Sequence, residues 1–292
     1  MFDTVLIGVD GRSGGRDAIA LARQLASETG RLVLAYVYRE ASAGSFGAGL
    51  VVDDRRQAEE LLTAQRRAAG VQAETVVRLD GPPGRGLRQL AEDERADLLV
   101  VGSSHRGALG RVLLGDNTRA ALNGAPCAVA IAPRGYALGG GAWTTIGVGD
   151  DGSAESARAR EAARVLAERH HATVRLRSVV GLQSVPAAED EPLEWTSATV
   201  KAVERERARL GEIEGVVGEV VYGDAPEELA RFAAEVDLLI VGSRGYGPLG
   251  RLINGSTSTY LAGHSPRPLL VMPRCTTELG ANERAPAEAA RA

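Results

Sequence analysis

The residues best suited to chemistry in this chain are glycines followed by hydroxyls. Gly242 and Gly245 stand three apart. After nine intervening residues come Gly255, Ser256 and Thr257, within the stretch VGSRGYGPLGRLINGSTS (241–258). Glycine lets backbone N–H groups approach an anion without a Cβ in the way, and it tolerates positive φ. A helix starting at Ser256 offers N–H groups with no intrahelical partner and a partial positive charge. A phosphate can accept from those groups and from the two hydroxyls. The competing reading is a glycine turn followed by an ordinary serine cap. A related stretch, VGSSHRGALGRVLLGDNT (101–118), keeps Gly102 and Gly115 but has His105 for the middle glycine and Asp116 for the serine. Asp116 is a good cap, yet it sets a carboxylate where the phosphate would sit. The expectation is one intact anion loop and one degraded one.

Other chemistry is thinner. SGGRDA (13–18) resembles the pyrophosphate loop of adenylating ATP pyrophosphatases, but Asp10-Gly11-Arg12 intervene after the strand and Ala18 replaces the last serine. There is no GxxxxGK[ST] and no Gly-x-Ser-x-Gly elbow. His105, His170, His171 and His264 have no ligand spacing, and His170-His171 suit a helix C-terminus. Cys127 and Cys275 suggest neither a disulfide nor a zinc site, Cys127 reading as a small core residue. No metal site and no catalytic residue is expected.

The elements that must position these residues are written twice. DLLVVGS (97–103) recurs as DLLIVGS (237–243), GALGRVLLGDNT (107–118) as GPLGRLINGSTS (247–258), and VLIGVDG (5–11) as IGVGDDG (146–152). A tandem duplication follows: a first domain at 1–134, a Gly-rich linker at 135–143, a second domain at 144–274 and a loose tail at 275–292. Each copy alternates strands and helices. In the first these are VLIGV, the helix DAIALARQLASETG with a glycine stop, RLVLAYVY, the helix DRRQAEELLTAQRRAAG, VQAETVVRL, the helix GLRQLAEDERA, DLLVVGS, the helix DNTRAALNG and CAVAIAP. Runs apolar on both faces, such as DLLVVG, are buried parallel strands, and the alternation calls for an α/β fold of two doubly wound domains with helices on both faces. Ligands of such sheets sit off the carboxyl ends of strands 1 and 4. The net charge of −4 offers no attraction to nucleic acid or anionic lipid, and no apolar run reaches the ~18 residues of a membrane span. The N-terminus reads directly as strand and turn, so a cytoplasmic protein is expected.

Gly-x2-Gly-x9-Gly-Ser after the fourth strand, with Asp-Gly after the first, resembles the universal stress protein family, and the likeness spans both halves. The resemblance implies a Rossmann-like five-stranded parallel sheet per domain, of order 3-2-1-4-5, with ATP, with or without Mg2+, between strands 1 and 4. It implies that Asp151 meets the ribose, that the Val179 backbone meets adenine, that Gly242, Arg244, Gly245, Gly255, Ser256 and Thr257 form the phosphate loop, and that Val241 belongs to the same ATP site. Asp10, Val37, Gly102, His105, Gly115 and Asp116 are the degenerate counterparts. It also implies that fifth strands pair as edges, so CAVAIAP and PLLVMP would make an internal pseudo-dimer; a homodimer and an unknown protein partner stay open. The segments after each second strand, 39–54 and 181–198 with Trp195, read as lids or partner surfaces. The expected role is an ATP-binding stress sensor or regulator. The alternatives are a slow ATP-hydrolysing or adenylating enzyme and a nucleotide-free interaction module.

Overall fold

A computed structural model describes residues 2–38, 49–103, 116–181, 197–243 and 255–273, without the side chains of 49–54, 116–118 and 197. His105, Gly115, Trp195, Arg244, Gly245 and Cys275 lie outside the described residues.

The first copy runs β1 (Phe2–Gly8), α1 (Ser13–Leu25), β2 (Ala26–Tyr38), α2 (Gly49–Ala69), β3 (Glu74–Leu79), α3 (Pro83–Asp93), β4 (Leu98–Gly102), α4 (Asp116–Leu122) and β5 (Ala128–Ala132). A short α5 (Tyr136–Gly139) leads into the second: β6 (Thr145–Gly149), α6 (Ala154–His170), β7 (Thr173–Gly181), α7 (Ser197–Gly211), β8 (Val217–Gly223), α8 (Ala225–Ala233), β9 (Leu238–Gly242), α9 (Ser256–His264) and β10 (Leu269–Met272). Among the described residues ten strands form one sheet in the order β3-β2-β1-β4-β5-β10-β9-β6-β7-β8. Within each copy neighbours are parallel, as buried, continuously apolar strands require. At the centre β5 and β10 run antiparallel, with Leu270 opposite Ala130, so each covers the other's edge. Two apolar layers flank the sheet, one around Val5, Leu25, Leu98, Ile146 and Leu238, the other around Leu6, Leu99, Val129, Phe232 and Leu239. Among the described residues no helix is long and apolar enough to cross a membrane.

Several boundaries differ from expectation. The helical pattern of the first copy was expected to run to Gly30, yet α1 stops at Leu25 and Ala26 is already extended (φ −64°, ψ 147°). Phe2 pairs with Ala26 and Thr4 with Arg31, so an irregularity in register absorbs the polar Ser27–Gly30 stretch. The helix α3 starts three residues earlier than its pattern, at Pro83, because Pro suits a first helical turn. It ends at Asp93, with Arg95 left-handed at φ 51°.

The Gly-rich linker packs against both copies. Asp17 of α1 is buried, and its carboxylate accepts hydrogen bonds from the Gly135 and Ala137 amides, both at 2.9 Å. Tyr136 and Trp143 are also buried, the indole N–H donating to the Tyr136 hydroxyl at 3.0 Å. Burial pushes the Tyr136 phenol up to about 12. His170, at the end of α6, lies 4.6 Å from the Trp143 ring and bonds through Nε2 to the Gln24 carbonyl, while Arg169 donates to the Ala26 carbonyl. The basic end of one copy's helix therefore meets carbonyls at the end of the other's, which suits the helix dipole of α1.

Candidate functional site

In the second copy a cleft opens at the carboxyl ends of the parallel strands β6, β7 and β9, where the strand order changes side, β7 lying on one flank of β6 and β9 on the other. Asp151, Val179, Val241, Gly242, Gly255, Ser256 and Thr257 all line it. These are all the sequence-predicted residues of this copy that the structure describes. A separate groove, between α7 and β8 around Leu210, Ile213 and Glu219, holds none of them.

The floor of the cleft follows from local structure. Gly255 caps α9 with extended backbone (φ −67°, ψ 151°) and no side-chain hydrogen bond, so the first N–H groups of this helix have no capping side chain. Ser258 turns its hydroxyl back onto the Gly255 carbonyl at 3.1 Å, leaving Ser256 exposed and Thr257 half-buried at the mouth. In the first copy α4 begins at Asp116 instead.

Gly242 has a packing reason beside the one its spacing suggested. A Cβ there would lie 2.6 Å from the Glu155 Cβ and 2.9 Å from the Glu155 carbonyl carbon. Gly102 is tighter still, 2.3 Å from the Gly14 oxygen. Both glycines let the first turn of a helix press against the end of a strand. That demand is the same in both copies and independent of any anion.

The Asp-Gly turns are also shared. Gly11 (φ 74°) and Gly152 (φ 76°) are left-handed. Asp10 accepts from the Arg12 amide at 3.0 Å and Asp151 from the Ser153 amide at 3.1 Å. Both carboxylates are exposed, and Asp151 reaches the cleft from its turn. Ser153 caps α6, taking the Ser156 amide at 3.1 Å.

Sequence reasoning missed Asp150. Its side chain is wholly buried and lines the cleft. It accepts from the Gly152 amide at 2.9 Å, from Arg209 at 2.7 Å and from Arg160. Arg209 also grips Glu206 at 2.7 Å, and Glu206 accepts from the Ser178 hydroxyl at 2.9 Å. Burial would lower the Arg209 pKa, but its bonds to Glu206 and Asp150 outweigh that and raise it. The aligned copies held the signal: VLIGVDG has Val9 where IGVGDDG has Asp150. A second buried charge, on the opposite face of the sheet, is Arg177 of β7, held by Glu219 at 2.5 Å and Glu235 at 3.2 Å, its guanidinium 4.4 Å from the Phe232 ring centre. Burial would raise the Glu235 pKa; its bonds to Arg175 and Arg177 outweigh that and hold it low.

In the first copy the equivalent of Val179 lies close under α3. Val37 is buried, and a Cβ at Gly86 of α3 would lie 2.7 Å from its Cγ1. Asp17, from the stretch resembling a pyrophosphate loop, is occupied by the linker amides. Cys127 is buried just before β5, and burial pushes its thiol up to about 12, so it is no thiolate at neutral pH. Among the described residues no group of three His, Cys, Asp or Glu is placed to hold a metal ion.

Two doubly wound α/β units, with a cleft at the switch point of the second, define a tandem α/β protein. The family model for the universal stress protein family matches residues 1–133 and again 142–273, and the chain belongs to that family as a tandem two-domain member. A universal stress protein of Mycobacterium tuberculosis is 28% identical over 234 residues, 77% of this chain and 80% of that protein. One from Thermus aquaticus is 30% identical over 133 residues, 44% of this chain and 97% of the relative. Among solved structures, a universal stress protein from Archaeoglobus fulgidus superposes with a TM-score of 0.67 at 20% identity, covering 93% of this chain and 98% of that one. A putative universal stress protein from Pseudomonas aeruginosa gives 0.63 at 19%, covering 93% of each. These two likenesses concern the fold.

Proposed function

We propose that this universal stress protein is a sensor or regulator that binds ATP in its second domain and little or none in its first. The observation that carries the reading is the meeting of Asp151, Val179, Val241, Gly242, Gly255, Ser256 and Thr257 in one cleft over the uncapped start of α9. Donors there suit phosphate, Asp151 suits ribose hydroxyls, and the apolar Val179, Leu229 and Val241 suit a base. The buried Val37, close under α3, and the Asp116 that opens α4 support the asymmetry. In this reading nucleotide is held as a signal, with slow hydrolysis at most, and the β5–β10 junction joins the halves as an internal pseudo-dimer. Titration calorimetry with ATP on the full chain and on Gly245→Asp tests it. Binding that the variant abolishes supports the reading; equal affinity in both overturns the site assignment.

A further inference from the structure

The two copies build the same corner of the fold from opposite materials. In the first, Val9 and Ile19 belong to one apolar layer with Leu61 packed against it, and Ala58 is buried. The helices α1 and α6 follow equivalent turns, so Ile19 corresponds to Arg160. Leu61 and Arg209 both lie over the left-handed glycine, each within 3.6 Å of where a Cβ of Gly11 or Gly152 would be. One helical turn earlier, Ala58 corresponds to Glu206. Asp150, Arg160, Glu206 and Arg209 thus replace four apolar side chains at one place.

Stability does not account for the exchange. Replacing a buried ion network by apolar residues of similar volume is often neutral or stabilising. The first copy demonstrates that this scaffold accepts the apolar set. What the network adds is direction. Asp150 fixes the Gly152 amide, the residue before it being the terminus of β6 and the residue after it Asp151. At its other end Glu206 fixes Ser178, and the next residue is Val179. Arg209 bridges the two carboxylates with bonds of 2.7 Å to each. The network therefore ties together the two walls on which a nucleoside would rest, the turn after β6 and the end of β7.

We infer that Asp150, Arg209 and Glu206 are positioning residues that set the separation of Asp151 and Val179 in the second domain, making ribose recognition a property of that domain alone. The inference rests on the proposed nucleotide site for its ligand, while its geometry does not. The test is the full-length variant Asp150→Val/Arg160→Ile/Glu206→Ala/Arg209→Leu, which installs the first copy's set. Affinities for ATP, 2′-deoxy-ATP and 3′-deoxy-ATP are measured beside wild type and Asp151→Ala. The expected result is a folded protein whose preference for ATP over the deoxy analogues falls to about twofold or less, as in Asp151→Ala. An unchanged preference, even with weaker binding of all three, overturns the inference. Where the fourfold variant does not fold, Arg209→Leu alone is used. Its nucleotide-free amides at Gly152, Ser153 and Val179 should exchange hydrogen about tenfold faster, with the remainder of the second domain unaltered. Unaltered exchange at those amides overturns the inference. If wild type binds no nucleotide the proposed function fails, and the exchange arm still decides whether the network positions the two walls.

Discussion

Gly102→Ala and Gly242→Ala separate two explanations of the same residue. If these glycines exist to admit a phosphate, Gly102→Ala should be harmless, because the rest of its loop has lost the anion pattern. The structure ascribes both to the approach of a helix. Carbon atoms in ordinary contact stand about 3.5–4.0 Å apart. A Cβ at Gly102 would meet the Gly14 oxygen, carbonyl carbon and Cα at 2.3, 2.6 and 2.7 Å, all backbone of α1's first turn. The helix must recoil by roughly an ångström, and overpacking of that kind costs about 1–3 kcal/mol. Reduced chain entropy of the unfolded state returns only about 0.4–1 kcal/mol. At Gly242 the nearest atom is the Glu155 Cβ at 2.6 Å, with backbone at 2.9 Å, so the cost is smaller. The expected net losses are about 2 kcal/mol for Gly102→Ala and about 1 kcal/mol for Gly242→Ala. For a chain of this size each kcal/mol lowers Tm by about 2–4 °C. Scanning calorimetry of the nucleotide-free protein reads both. Unchanged Tm in Gly102→Ala, or the reverse order of the two variants, would refute the packing argument.

Asp17→Ala should lower stability by about 2–4 kcal/mol, since two amides lose their acceptor. Limited proteolysis should then cut first between 134 and 143, and an unaltered cleavage pattern would show that the clamp is idle. Tyr136 keeps its proton to about pH 12 in the folded chain, against 10.0 for the ordinary phenol. Its contribution is therefore whole below pH 10 and lost as pH rises toward 12. Tyr136→Phe should cost about 1–2 kcal/mol at neutral pH by orphaning the Trp143 indole, and should flatten the alkaline fall in urea midpoint.

Much of this was legible because the chain states it twice. Buried parallel strands are apolar on both faces, so DLLVVGS and DLLIVGS announced β4 and β9, and the glycine-hydroxyl spacing pointed to the start of α9. What could not be read depends on contacts between distant residues. Asp150-Asp151-Gly152 reads locally as a turn; only Arg160 and Arg209, brought in from two helices, reveal a buried carboxylate. The end of α1 escaped because Ser27–Gly30 continues a helical pattern that pairing of Ala26 with Phe2 overrides. The Gly-rich linker carries no local sign of its contacts, which come from distant residues: the Gly135 and Ala137 amides meet Asp17, and Trp143 meets Tyr136 and His170.

The most direct test of the central claim is the amount of ATP bound per chain at saturation, measured by calorimetry and by release from denatured protein. The account predicts close to one equivalent, lost in Gly245→Asp. Two equivalents would contradict the assignment of a degraded first site, and none would contradict nucleotide binding altogether.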